Sequence, residues 1–285
     1  MTIGLVTCFD NAELIEGDQD LIPLLAARGH QAEAVIWNDV EVVWTKFDAL
    51  IIRSTWDYYY HIEAFKRWLS MVLELKIRLC NSPDVIYHNL NKFYLRDFQA
   101  QGFPIIPTVF LPQTESLDLS FLADSPWEKV IIKPAISAGA YLTEMFAAQD
   151  WQKVESGYRE IAQKRDLLVQ RFIPEILTRG EVSMLFFGGV FSHAIVKVPK
   201  VGDFRVQSEF GGHYSRHEPT AAAVDLGYRM LASLEHLPTY ARLDGIETPD
   251  GFLVMELEMI EPDLYLEFSP TARERFLNVC LANLE

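Results

Sequence analysis

The chain has 285 residues, 49% of them hydrophobic, enough to bury a large core and more than one typical domain requires. Its formal charge of −15 argues against a nucleic-acid backbone or an anionic membrane as the main partner. No basic segment followed by an apolar run opens the sequence and no window is long enough to span a bilayer, so the expectation is a cytoplasmic protein.

Ile3–Cys8 is an apolar run that predicts a strand, and Asp18–Arg28 has helical spacing through Leu21, Leu24 and Leu25 before Gly29. Gln31–Ile36 and Leu50–Arg53 predict further strands, and Ile62–Leu75 an amphipathic helix. This alternation implies a small α/β lobe with parallel strands, running to about residue 88. Leu90–Gln101 reads as a helix ended by Gly102, and Pro104–Phe110 as extended chain. Glu128–Lys133 is a strand stopped by Pro134, Trp151–Lys164 a helix and Leu167–Phe172 a strand. Glu181–Phe187 turns through Gly188-Gly189 into Val190–Val198, Ala221–Leu234 is helical, and a last helix starts at Thr271. No internal repeat, low-complexity tract or flexible linker is evident. The later two-thirds therefore reads as α+β with antiparallel hairpins.

The strongest chemical signal lies between the last two helices. Tyr240–Ile246 and Phe252–Met259 are strand-like runs joined by a Pro249-Asp250-Gly251 turn. Alternation along strands puts Arg242 and Asp244 on one face, and Val254, Glu256 and Glu258 on one face. Closing the hairpin with Ile246 opposite Phe252 sets Asp244 opposite Val254 and Arg242 opposite Glu256. Leu243, Met255, Leu257 and Met259 then pack on the far side. Three carboxylates so close repel unless a cation holds them, and Mg²⁺ favours carboxylate oxygens and phosphates. A solvated acidic surface hairpin is the plainer alternative.

Other signals are weaker singly. Lys133 ends a buried strand before Pro134-Ala-Ile-Ser-Ala-Gly-Ala140, where small residues such as Ser137 and Gly139 let backbone N–H groups cradle phosphate. A strand-end lysine snorkelling to water is the competing explanation. Lys92 opens the expected helix, Gln170–Ile173 is a strand crossing between layers, and Glu181 starts the next strand. Lys197, Lys200 and Arg205 bring cations near Gly211-Gly212. The cysteines Cys8, Cys80 and Cys280 lack metal-ligand spacing and suit structural roles in a reducing compartment. His61, His193, His213 and His217 form no HxxH or HExxH pair; only His213, beside the glycines, invites attention.

Taken in order, these signals resemble the ATP-grasp superfamily over residues 85–268, with a general likeness to bacterial glutathione synthetase and D-alanine–D-alanine ligase. The resemblance implies an N-terminal Rossmann-like lobe (1–88), a central ATP-grasp subdomain (89–172) and a C-terminal one (173–285). It also implies roles. Lys92 and Lys133 match the two nucleotide-binding lysines, Gln170, Arg171, Phe172 and Ile173 the hinge that reads adenine, and Glu181 the ribose acid. Lys197 and Arg205 match basic residues around the triphosphate. Arg242 matches an arginine aimed at an acyl phosphate, and Asp244, Glu256 and Glu258 match the metal ligands. Glu258 departs from most relatives, which carry Asn there. With Arg53-Ser-Thr-Trp-Asp-Tyr58, Asn89-x-x-Lys92-x-Tyr-Leu and Lys133-Pro-Ala-x-Ser-Ala-Gly, that departure resembles the O-ureido-D-serine cyclo-ligase group.

The implied activity is an ATP- and Mg²⁺-dependent, ADP-forming ligase. It would activate a small amino-acid-like carboxylate as an acyl phosphate for an amine-type nucleophile, by ring closure or between two molecules. A glutathione-synthetase-like or glutamate-adding ligase shares all these residues, and a non-catalytic nucleotide-binding protein is the alternative of another class. A homodimer is compatible with the sequence. For the acid, Arg53, Ser54 and Asp57 follow an apolar strand whose carboxyl end is where ligands collect in open α/β sheets. Arg53 suits a carboxylate and Asp57 an ammonium, while Gly211-Gly212 resembles a glycine-rich substrate loop. The alternative is that Trp56 and Tyr58 cap the lobe's core with Arg53–Asp57 a local ion pair.

Overall fold

A computed structural model describes residues 1–284. The first apolar run forms β1 (Thr2–Thr7), followed by helices α1 (Glu16–Gln19) and α2 (Leu21–Ala26). The one helix expected over Asp18–Arg28 is thus two, with Pro23 in the first turn of the second, where its missing N–H has no helical partner to lose. Next come β2 (Gln31–Ile36), β3 (Ala49–Ser54), α3 (Ile62–Glu74) and β4 (Arg78–Cys80). These strands pair in parallel in the order β2-β1-β3-β4. Burial of every β3 residue explains its near-continuous apolar sequence. Helix α3 buries Phe65, Trp68, Leu69 and Val72, the stripe its spacing predicts.

The expected helix Leu90–Gln101 is shorter and has a neighbour. Helix α4 (Pro83–Asn89) starts with Ser82 accepting from Val85 N–H and Pro83 at its first position, and α5 is Tyr94–Ala100. Between them the chain turns at Asn91, whose side chain accepts from Phe93 N–H (2.9 Å) and donates to Asp166 (2.7 Å). Lys92 therefore occupies this turn rather than a helix start.

The middle of the chain supplies β5 (Thr108–Leu111), β6 (Lys129–Pro134), β7 (Glu144–Ala147), α6 (Trp151–Ala162) and β8 (Leu167–Arg171). They build an antiparallel sheet ordered β5-β8-β6-β7. The last part has α7 (Ile176–Arg179), β9 (Glu181–Phe187), β10 (Val190–Val198), β11 (His213–His217), α8 (Ala221–Ala232), β12 (Tyr240–Thr248), β13 (Gly251–Glu258) and α9 (Ala272–Leu284). Its five strands are antiparallel, ordered β11-β10-β9-β12-β13. Helix α8 lies so close to this sheet that a Cβ on Gly227 would come 2.3 Å from Phe186 Cζ. Phe276, Leu277 and Cys280 of α9 share one core with Ile3, Leu5 and Ile51 of the first sheet and Leu185 and Tyr240 of the third. The last helix thus joins the first and third sheets.

The acidic hairpin closes in a different register from the one expected. Glu247 lies opposite Phe252, Asp244 opposite Glu256 and Arg242 opposite Glu258. One residue of the difference comes from the two-residue turn, the other from a bulge beside Gly245. There the extended segment before β5 pairs with β13, Ile106 N–H donating to Val254 O (2.9 Å) and Val254 N–H to Pro104 O (2.8 Å). A shift of two residues restores the original face, so the four charged residues still share one side. Met255 is the exception: it joins Ile173, Val206 and Ile246 rather than the core that holds Leu243, Leu257 and Met259.

Candidate active site

A cavity of about 680 Å³ opens between the three sheets. Its N-terminal wall consists of Cys8, Asp10 and Asn11 after β1, and Trp56, Tyr59 and Tyr60 after β3. These are the carboxyl ends of parallel strands, where such sheets present loops to ligands. Opposite lie Lys92, Lys133, Ser137, Gly139 and Gln170–Ile173, and the floor carries Glu181, Lys197, Arg205, Arg242, Asp244, Glu256 and Glu258. Every nucleotide, catalytic and metal candidate from the sequence is therefore brought to one cavity.

The cations are held differently. Lys92 donates to Ser137 O (2.5 Å) and lies 2.9 Å from Glu256. Burial opposes its charge, but Glu256 more than compensates and its pKa is raised. Lys133 makes no ion pair among the described residues; burial lowers its pKa despite Glu256. Lys197 is clamped to Glu181 and sits 3.8 Å from Asp244. Burial works against its charge, while Asp244 and Glu181 carry its pKa upward. Arg205 stacks 3.7 Å from the Phe210 ring centroid and pairs with Asp203 at 2.7 Å.

Arg242 is the hub of the acids: its guanidinium lies 2.9 Å from Asp244, 2.7 Å from Glu258 and 3.1 Å from Asp263 O. Burial pushes Asp244 up, but Arg242 and Lys197 outweigh it and its pKa is lowered; Ser183 donates to it as well. Glu258 is pushed up to about 7 by burial, with Glu256 adding to the shift against Arg242. Among the described residues no three acidic, histidine or cysteine side chains converge into a ready metal cage. Each carboxylate is turned onto Arg242, Lys92 or Lys197 instead. The donor set still suits Mg²⁺, because it consists of carboxylate oxygens gathered in a buried setting, where burial first and then Glu256 push Glu258 up.

After Glu258 the chain leaves the sheet, and its carbonyls lose their ladder partners. Side chains replace them. Tyr240 Oη donates to Ile260 O (3.0 Å), Trp56 Nε1 to Glu261 O (3.0 Å), Arg53 to Pro262 O (3.1 Å) and Arg242 to Asp263 O (3.1 Å). His193 Nε2 lies 3.1 Å from Leu264 O and 3.0 Å from Tyr265 O. An irregular buried segment needs this satisfaction of each polar group.

That arrangement corrects the substrate assignment of Arg53. Its side chain is fully buried, outside the cavity, 2.9 Å from Asp18 and fixed to Pro262 O. The expected partner Asp57 instead accepts from Trp37 Nε1 (2.6 Å), and Ser54 is buried within 2.7 Å of Thr7 Oγ1. Neither lines the cavity; only Trp56 of this segment does. Gly211 and Gly212 also lie outside the lining. Gly212 is required by crowding, since a Cβ there would come 1.9 Å from Val206 O. His213 is exposed on edge strand β11. Residues the sequence reading passed over include Tyr59, Tyr60, Tyr141, Glu261, Asp263 and Tyr265. Glu261 had one available signal, a third acid three residues beyond Glu258, but periodicity cannot place a residue after a strand ends.

This geometry, a cavity between two antiparallel α+β sheets with a parallel lobe beside it, defines an ATP-grasp carboxylate–amine ligase. The chain belongs to the family of the prokaryotic glutathione synthetase ATP-grasp domain, which matches residues 91–247. Residues 3–81 match the N-terminal domain of D-cycloserine synthetase DcsG. The cycloserine biosynthesis protein DcsG of Streptomyces lavendulae is 29% identical over 313 residues, covering 99% of this chain and 100% of the relative. The crystal structure of D-cycloserine synthetase DcsG superposes with a TM-score of 0.88 at 24% identity, covering 100% of both chains. D-alanine–D-alanine ligase from Bacillus anthracis, complexed with ATP, superposes with a TM-score of 0.69 at 13% identity, covering 100% of this chain and 97% of its own. No helix among the described residues is long and apolar enough to cross a membrane.

Proposed function

We propose that this protein is an ADP-forming, Mg²⁺-dependent ligase that activates a small carboxylate as an acyl phosphate and passes it to a nitrogen nucleophile. The observation that carries the reading is the division of the cavity: Lys92, Lys133, Lys197, Arg205 and Arg242 face one space together with Asp244, Glu256 and Glu258. Phosphoryl transfer needs charge neutralisation and alignment rather than a protein nucleophile.

In this reading, ATP lies between the second and third sheets. Gln170–Ile173 border adenine, Glu181 meets the ribose, and Lys133 contacts phosphate as a point charge. A substrate carboxylate oxygen attacks the γ-phosphorus; the P–O bond to ADP breaks and an acyl phosphate forms. The nitrogen nucleophile then attacks the acyl carbon, the C–O bond to phosphate breaks, and the nitrogen's surplus proton leaves. Arg242 stabilises charge building on the acyl phosphate, and Arg205 charge on the transferred phosphoryl group. Asp244, Glu256 and Glu258 would hold Mg²⁺, which supplies charge neutralisation for the phosphates. The lobes 1–88, 89–172 and 173–285 divide the work, the first bounding the acid and the other two clamping the nucleotide.

The relative in Streptomyces lavendulae bears the name of a cycloserine biosynthesis protein, which favours ring closure of an amino-acid-like substrate over peptide ligation as the first chemistry to try. Incubation with ATP, Mg²⁺ and pooled amino acids should release ADP and phosphate and yield a product lighter than its substrates by one water. Release of AMP and pyrophosphate would place the protein in another mechanistic class.

A further inference from the structure

Glu261 lines the cavity with 7% of its surface exposed, and its carboxylate has no ion pair or hydrogen bond to another side chain among the described residues. A buried acid in that condition is costly unless something completes it. The backbone that carries it is fixed. Its own carbonyl is held by Trp56, and the carbonyls on either side by Tyr240 and Arg53. Cations of the cavity floor are engaged elsewhere: Arg242 on Asp244 and Glu258, Lys197 on Glu181, Arg205 on Asp203. Lys92 acts on Glu261 only through space, being bonded to Glu256 and the Ser137 carbonyl. Trp56, Tyr59 and Tyr60 form the adjoining wall, and aromatic faces beside a carboxylate favour an organic cation.

We propose that Glu261 is a specificity-determining residue that receives a cationic nitrogen of the substrate, a primary ammonium, at the Trp56 end of the cavity. The inference rests on the ligase reading in taking this cavity as the substrate cleft, and it adds a requirement that the nucleotide and metal residues do not impose. An ammonium favours the ionised form of Glu261, and the carboxylate so formed turns a substrate carboxylate away toward Arg242; the pair orients an amino-acid-like molecule. The ammonium belongs either to the activated acid or to the nucleophile, and both present the same chemistry to Glu261.

The test uses the full chain with ATP and Mg²⁺, and follows both thermal stabilisation and ADP release. Three probes are compared: pooled L- and D-amino acids, the same pool N-acetylated, and methylamine, which has no carboxylate. The free-amine pool should raise Tm above that of the ATP complex, the acetylated pool should not, and Glu261→Gln should lose most of that response. Its Tm shift with ATP alone should stay at the wild-type value, which also shows that the variant is folded. A response to methylamine assigns Glu261 to the nucleophile, and a response to amino acids alone assigns it to the acid. Equal responses to both amino-acid pools, no response to any free amine, or an unaltered Glu261→Gln response overturns the proposal. Tm shifts without ADP release would instead remove the ligase reading and leave the ammonium site standing. If Glu261→Gln changed only the Mg²⁺ requirement, Glu261 would be a metal ligand and the proposal would fall.

Discussion

The Lys92 ammonium lies 2.9 Å from the Glu256 carboxylate and also holds the carbonyl of Ser137. A turn of the central lobe, the small-residue loop after β6 and strand β13 thus meet at one buried charge. Glu256 keeps Lys92 in place, and in the proposed function it would also offer an oxygen to a metal.

Glu256→Gln should therefore cost both stability and metal response. Gln keeps an oxygen for Lys92 but drops the charge, so a loss of about 1–3 kcal/mol is expected in denaturant unfolding. The Mg²⁺ concentration for half-maximal ADP release should rise roughly tenfold, since a charged hard-oxygen ligand is lost. Glu258→Gln should retain partial activity with a smaller rise. Wild-type Mg²⁺ dependence in both variants would show that neither residue binds the metal.

Lys133 offers the opposite case. It is buried without an ion pair among the described residues, and burial lowers its pKa. Lys133→Met keeps the apolar stem and removes an uncompensated charge, so the nucleotide-free protein should be unchanged or more stable, by up to about 2 kcal/mol. ATP affinity should fall at least tenfold. A variant that binds ATP as tightly as wild type would mean that Lys133 contacts no phosphate.

For Arg53 the structure replaces an expected KM effect with a folding effect. Arg53→Ala leaves Asp18 without its partner and Pro262 O without a donor, inside a wholly buried setting. A loss of about 3–5 kcal/mol is expected. Pairing it with Asp18→Asn should restore part of that loss. A stable single variant with a raised substrate KM would return Arg53 to the substrate pocket.

The acids predict a pH dependence of the nucleotide-free protein. Burial and Glu258 push Glu261 up to about 8, against an unfolded value of about 4.3. Between those values the folded state binds more protons than the unfolded, so stability falls as pH rises through the window and levels off above it. A decline on the order of 3 kcal/mol between pH 5 and 8 is expected from Glu261, and Glu261→Gln should remove that part while leaving the part due to Glu258, itself pushed up to about 7. Urea unfolding across this range checks the sign; stability that climbs with pH in wild type would contradict it.

The interior strands β3, β9 and β10 could be read from sequence because buried faces impose apolar runs with sharp ends. The strands missed, β4, β7 and β11, all lie at sheet edges. One-sided pairing relaxes the demand for burial, and β11 reads His-Tyr-Ser-Arg-His with no apolar rhythm. The charged face of the β12–β13 hairpin was legible because parity survives a register shift of two. The part of the shift made by the bulge was not, because the bulge lies where Val254 pairs with a segment some 150 positions earlier in the chain. Arg53 failed for a related reason: its partners Asp18 and Pro262 are 35 and 209 residues away, and local spacing suggested Asp57.

The clasped carbonyls bear on how parts of such ligases can be exchanged. The two family matches divide this chain between residues 81 and 91, an inviting crossover for grafting the front of one relative onto the back of another. Yet Asn81 donates to Tyr240 O (2.9 Å) and Met259 O (2.7 Å), and Asn89 donates to Leu257 O (2.7 Å) and accepts from Met259 N–H (2.6 Å). With Arg53 and Trp56, the front third supplies hydrogen-bond donors for the very stretch that follows the acidic strand. A transplanted front with different side chains at these four positions would take these donors from the carbonyls of Tyr240, Met259, Glu261 and Pro262 in a dry interior, while Leu257 O keeps Tyr94 Oη. Heritable novelty in this scaffold thus has to travel as a matched set, the front lobe together with residues 257–263.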